Sequence, residues 1–109
     1  TKYLAGYKPL TDLLTDFNNK GKKIAAICAA PSILGEMGLL KGRTATCYPG
    51  FEDKLEGVSY TRQGVITDGN ITTARGLGYA LDLGIELIRL LMGPQHAQMV
   101  KDSIQYDQV

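Results

Sequence analysis

Leu10, Leu13, Leu14 and Phe17 recur at i, i+3, i+4 and i+7, with Pro9 near the start of the pattern and Gly21 just past its end. That spacing predicts a surface helix with one buried face. Behind Lys22 and Lys23 the pattern changes. Ile24-Ala25-Ala26-Ile27 is continuously apolar rather than alternating, which predicts a central strand covered on both faces. Pro31 then suits the first turn of another helix, with Ile33, Leu34 and Met37 on its inner face and Gly38 at its end. Helix, buried strand and helix in succession imply a parallel sheet.

Residues 44–47 read as a further strand, closed by Tyr48-Pro49-Gly50. From residue 58 to 74 the elements are short, with strands expected over 58–61, 65–67 and 71–74. Asp68-Gly69 between the last two signals a hairpin, because both residue types tolerate positive φ. The glycine-bracketed turn Arg75-Gly76-Leu77-Gly78 opens the longest helix, expected over 79–92. Its polar residues Asp82, Glu86 and Arg89 fill one narrow stripe and leucines and isoleucines surround the rest, a pattern that predicts burial on most sides. Gly93-Pro94 stops it and starts a last helix that turns Ala97, Val100 and Ile104 inward.

Composition narrows the classes. A chain of 109 residues is expected to be one domain, able to bury roughly two-thirds of its unfolded surface. Lys plus Arg number 12 against 11 Asp plus Glu, a formal charge of +1, which provides neither a nucleic-acid stripe nor an electrostatic membrane patch. Cys28, Cys47 and His96 lack zinc-site spacing, and two cysteines imply no disulfide framework, so no metal is expected and a reducing cytoplasm is the expected setting. No run of about 18 apolar residues offers a membrane span.

The candidate chemistry sits at Cys28. It stands where the apolar strand over 24–28 runs straight into the Pro-started helix, flanked at two residues' distance by the small Ala26 and Ala30. This is the layout of a nucleophile elbow, where small neighbours allow a cramped backbone and the helix N-terminus favours a thiolate. The bland alternative is a thiol that simply packs in the core.

The segments AICAAPS at 26–32, YPGFEDKL at 48–55 and VITDGNITTARGLG at 65–78, with the apolar helix after them, resemble the ThiJ/PfpI family of the class I glutamine amidotransferase-like superfamily. Within it they are most similar to the Parkinsonism-associated deglycase-like branch. The resemblance implies a flavodoxin-like α/β fold, a parallel sheet sandwiched by helices with a β-hairpin. It makes Cys28 the reactive, oxidation-prone cysteine and Ile27, Cys28 and Ala29 the elbow, with the Ala29 amide in the oxyanion pocket. Arg75, Gly76 and Gly78 match the loop closing one side of that pocket, although Leu77 replaces the family's proline there, and structural glycine turns are the plain alternative. Cys47 becomes a candidate resolving thiol if the strands ending at Cys28 and Cys47 are neighbours; otherwise it is a small buried hydrophobe.

Departures qualify this. Hydrolase-like members carry a histidine directly after the nucleophile, where this chain has Ala29, so a Cys-His dyad is unsupported. Other members place a histidine where Tyr48 stands; Tyr48 either offers its hydroxyl to a substrate or packs its turn. His96 is expected to be a solvated surface residue. The family's first half, with a Gly-Gly oxyanion segment and an acidic residue beside the nucleophile, has no counterpart here; the chain starts Thr-Lys-Tyr-Leu, and Thr1 falls just after where the Gly-Gly segment would end. The chain is therefore expected to be the C-terminal portion of a single domain, completed by a second polypeptide, and the resemblance implies a homodimer.

Three functions are in play. The first is a cofactor-independent protein acting on reactive carbonyls as a glyoxalase or deglycase, or responding to oxidative stress through oxidation of Cys28. The second is a redox-regulated chaperone or interaction module. The third is thiamine thiazole phosphate metabolism, suggested only by an old family name and supported by no phosphate-binding motif.

Overall fold

The computed structural model describes residues 6–104 and forms a mixed α/β assembly. Thr1, which set the chain against the family's Gly-Gly segment, lies outside the described residues. In chain order come α1 (Lys8–Asn19), β1 (Ile24–Ile27), α2 (Pro31–Glu36), β2 (Thr44–Ala45), a 3-10 turn (Glu52–Lys54), β3 (Ser59–Tyr60), β4 (Val65–Asp68) and β5 (Ile71–Ala74). A second 3-10 turn (Leu77–Tyr79) leads into α3 (Ala80–Met92) and α4 (Pro94–Ser103).

One sheet has the order β1-β5-β4, with β1 parallel to β5 from Ile24↔Ile71 to Ile27↔Ala74 and β4 antiparallel to β5. The parallel pair β2-β3 forms a small second sheet. Ile24, Leu34, Leu40, Ala45, Cys47, Leu55 and Ile71 form the core, and Leu14 and Phe17 of α1 pack onto it. Helix α1 thus lies on the core as a surface helix, but no residue of it is fully buried and Leu13 is exposed.

Strand β1 lies at an edge of its sheet and Ala25 is exposed, so the expectation of a strand covered on both faces does not hold among the described residues. The strand expected over 44–47 ends at Ala45, because the Thr46 amide donates instead to the Thr73 hydroxyl on β5 (3.0 Å). That over 58–61 shortens to Ser59–Tyr60, the length of the β2 ladder it joins.

The hairpin is present, but its turn is offset by one residue from Asp68-Gly69. Asp68 pairs with Ile71, so the central positions are Gly69 and Asn70, and only Gly69 has positive φ (63°). This is the pattern of a turn that needs glycine at its first central position. Arg43 latches it, donating from Nη1 to the Asp68 carbonyl and to Asn70 Oδ1 (2.9 Å each), while the Thr44 amide donates to Asp68 Oδ2 (2.7 Å).

Helix α3 is less buried than its composition predicts. It packs against β4, β5 and α4 on one side, where Ile85 is buried, whereas Leu81, Leu91 and Met92 are exposed because no described residue covers that side. In α4, Ala97 is buried and Val100 half-buried, but the inward placement of Ile104 is corrected: it follows the helix end at Ser103 and is exposed. No described helix is long and apolar enough to cross a membrane.

Candidate functional site

The β1 ladder ends at Ile27, and the chain must reverse into α2 within three residues, Cys28 to Ala30. Cys28 absorbs the turn. Its φ of 66° makes it the one non-glycine residue with positive φ among those described. A residue bearing a Cβ adopts that region at a cost of about 1–2 kcal/mol, so neighbours must enforce it. Two backbone hydrogen bonds do so: the Cys28 amide donates to the Ala74 carbonyl (3.0 Å), and the Cys28 carbonyl accepts the Tyr48 amide (2.7 Å). Cys28 thus makes a tight, left-handed turn between β1 and α2, with its side chain half-buried.

Ala29 is locked from the other side. Its carbonyl accepts both the Ser32 amide (3.0 Å) and the Ser32 hydroxyl (2.6 Å). Its own N–H has no acceptor among the described residues, which leaves it free to hold an oxyanion beside the thiol. Ser32 was not singled out from sequence. Its position just inside a Pro-started helix is the signal that marks it.

Tyr48 reaches the elbow through its amide and the glycine loop through its ring. A Cβ built on Gly76 would lie 3.6 Å from Tyr48 Cδ2, and the same ring meets Phe51 edge to face (centroids 6.4 Å apart). Glu52 holds this loop by accepting the Gly50 amide (2.7 Å). Hydrogen bonds from its own backbone N–H first, and from that of Gly50 second, lower its carboxyl pKa. Arg75 follows β5 directly; its amide donates to the Gly64 carbonyl (2.8 Å), and its guanidinium makes a long bond to the Arg62 carbonyl (3.5 Å). Tyr48, Arg75, Gly76 and Gly78, with Pro49, Leu77 and Tyr79, line an open groove of ≈ 320 Å³. Pro49, Leu77 and Tyr79 carried no site signal in the sequence, since each looks like an ordinary turn residue.

Ile27 is the last residue of β1 and contributes the strand end on which the elbow turns. Cys28 and Cys47 lie just beyond the ends of β1 and β2, which belong to different sheets, and the two segments meet where the Tyr48 amide donates to the Cys28 carbonyl (2.7 Å). Cys47 is fully buried in the core, and both thiols are free. Burial first, then the charges of Glu52 and Asp53, push its pKa up to about 11. A thiol held so is a poor nucleophile at neutral pH. His96 is exposed on α4, its Nδ1 3.0 Å from the Met92 carbonyl oxygen. Among the described residues no three His, Cys, Asp or Glu side chains converge as a metal site.

A sequence model described as the DJ-1/PfpI family matches residues 1–90. An uncharacterized protein of Methanocaldococcus jannaschii is 38 % identical over 94 residues, covering 83 % of this chain and 46 % of that protein. A deglycase of Pyrococcus abyssi is 37 % identical over 75 residues, covering 67 % of this chain and 45 % of its own length. The crystal structure of Drosophila melanogaster DJ-1beta superposes with a TM-score of 0.90 at 31 % identity, over 97 % of this chain and 58 % of that one. The chain thus spans about half the length of the curated relatives named here.

Proposed function

Given that the chain belongs to the DJ-1/PfpI family, we propose that it carries the nucleophile of a cofactor-independent protein acting on small reactive carbonyls, as a glyoxalase or a deglycase does. The observation that carries this reading is the left-handed backbone of Cys28, held by two hydrogen bonds beside an uncommitted Ala29 N–H. Backbone strain kept at a thiol by its surroundings is a mark of a working site.

In the proposed step the Cys28 thiolate attacks the aldehyde carbon. The C–S bond forms as the carbonyl π pair moves onto oxygen, and the Ala29 amide stabilises the resulting alkoxide. Protonation yields a hemithioacetal. The same thiolate gives an oxidative-stress role: one hydrogen peroxide transfers an oxygen to Cys28 to give the sulfenic acid with hydroxide released, and a second takes it to the sulfinic acid with water released. The residues described here form the C-terminal portion of a single domain in this proposal. In the same proposal the protein is a cytoplasmic homodimer.

A second reading, a redox-regulated chaperone or interaction module, is supported by the exposed Leu81, Leu91 and Met92 on α3 and Met99 on α4. Turnover of methylglyoxal by Cys28→Ala separates the two. Loss of all turnover with unchanged holding of an aggregating client fits a carbonyl enzyme with an independent binding face; undiminished turnover sinks the nucleophile.

A further inference from the structure

The groove beside the elbow is walled mainly by aromatic and aliphatic side chains, with Arg75 the charged residue of its lining. Tyr48 and Tyr79 are 48 % and 39 % exposed, and Leu77 at its mouth is 86 % exposed. Both rings are held by neighbours: Tyr48 meets Phe51 edge to face, and Tyr79 lies so close to Gly64 that a Cβ there would overlap its ring. Held aromatic surface of this kind, with Gly76 and Gly78 leaving room between the side chains, is a ready slot for a flat apolar group. Its ≈ 320 Å³ also lies within the size range of small-molecule sites, which starts near about 300 Å³.

The groove is tied to the thiol through the main chain. The Cys28 carbonyl takes the amide of Tyr48 on one wall, and its amide bonds the carbonyl of Ala74, the residue before Arg75 on the other. We propose that this groove is the subsite for the carbon substituent of the compound Cys28 attacks, and that it selects carbonyl compounds bearing a planar apolar group, an aryl ring above all, over the smallest ones. The inference rests on Cys28 being the nucleophile, as proposed above.

The test compares the rates at which the purified protein takes up N-phenylmaleimide and N-methylmaleimide, read by intact mass. In each case the thiolate adds to one alkene carbon, the C=C π bond breaks, and the neighbouring carbon takes a proton from water, giving a thioether. The phenyl-to-methyl rate ratio is divided by that of glutathione, which removes intrinsic reactivity, and Cys28→Ser shows which label belongs to Cys28. A normalised ratio of about fivefold is expected, the factor for burying about 40 Å² of ring area. It falls to about one in Tyr48→Ala and is reduced in Leu77→Ser, a change at a side chain too exposed to affect folding. A normalised ratio near one in the unaltered protein, or a ratio that neither variant changes, overturns the subsite alone. Failure of both reagents to label Cys28 sinks the nucleophile reading and the subsite with it.

Discussion

Replacing Cys28 by alanine and by glycine should invert the usual order of stability. At an ordinary position alanine is more stable than glycine by about 0.5–1 kcal/mol, because glycine has more freedom to lose on folding. At Cys28 the backbone sits at φ 66°. There alanine keeps the left-handed cost of about 1–2 kcal/mol, which glycine escapes while giving up about 0.4–1 kcal/mol of unfolded-state entropy, so glycine leads by about 0.5–1 kcal/mol. Both variants remove the thiol, so its packing and chemistry cancel in the comparison. Urea unfolding at equal slope measures the difference as a shift in midpoint. If Cys28→Ala is as stable as Cys28→Gly, the elbow is not strained and the argument from its geometry to function fails.

Gly35→Ala should lose about 1–3 kcal/mol, read by thermal unfolding, because overpacking against backbone is not easily relieved; its Cβ would fall 2.5 Å from the Lys54 carbonyl oxygen. Gly84→Ala on exposed α3, where a Cβ meets nothing within 4 Å, should instead gain about 0.5–1 kcal/mol. The hydrogen bond from Arg89, and to a lesser extent that from Thr67, lowers the Glu86 pKa from 4.5 against an opposing desolvation. Its contribution is therefore complete above the unfolded value and lost as pH falls through the folded one, so the stability gap between the protein and Glu86→Gln should close below about pH 4.5. A gap independent of pH refutes that assignment. With a thiol pKa raised from 9.0 to about 11, Cys47 should resist iodoacetamide at pH 7 while Cys28 reacts, and its contribution to stability should fade between pH 9 and 11 as the unfolded thiol ionises first. Peptide mapping and an alkaline unfolding series with Cys47→Ala check the two parts.

Much of the site was legible because its signals are local. A continuous apolar run into a Pro-started helix with small neighbours specifies an elbow at Cys28 whatever packs around it, and Gly93-Pro94 ends α3 by backbone chemistry alone. Strand β5 falls on the residues its pattern marks, Ile71–Ala74, since β-rich residues there follow directly on a glycine turn. Tertiary contacts decided the rest. Which strand β1 joins depends on a register between residues far apart in sequence, and the burial of Cys47 in the core depends on packing among segments equally distant. Periodicity marks all of α3 as apolar but is silent on which side has a neighbour. The groove exists only because Tyr48 and Arg75, which the family resemblance marks, and Tyr79, which nothing in the sequence marks, are brought together by hydrogen bonds and ring contacts that no local pattern records. Sequence by itself determined where the chain turns and which residue bears the strain; folding in three dimensions determined what stands around that residue, because side-chain proximity is a property of long-range pairing.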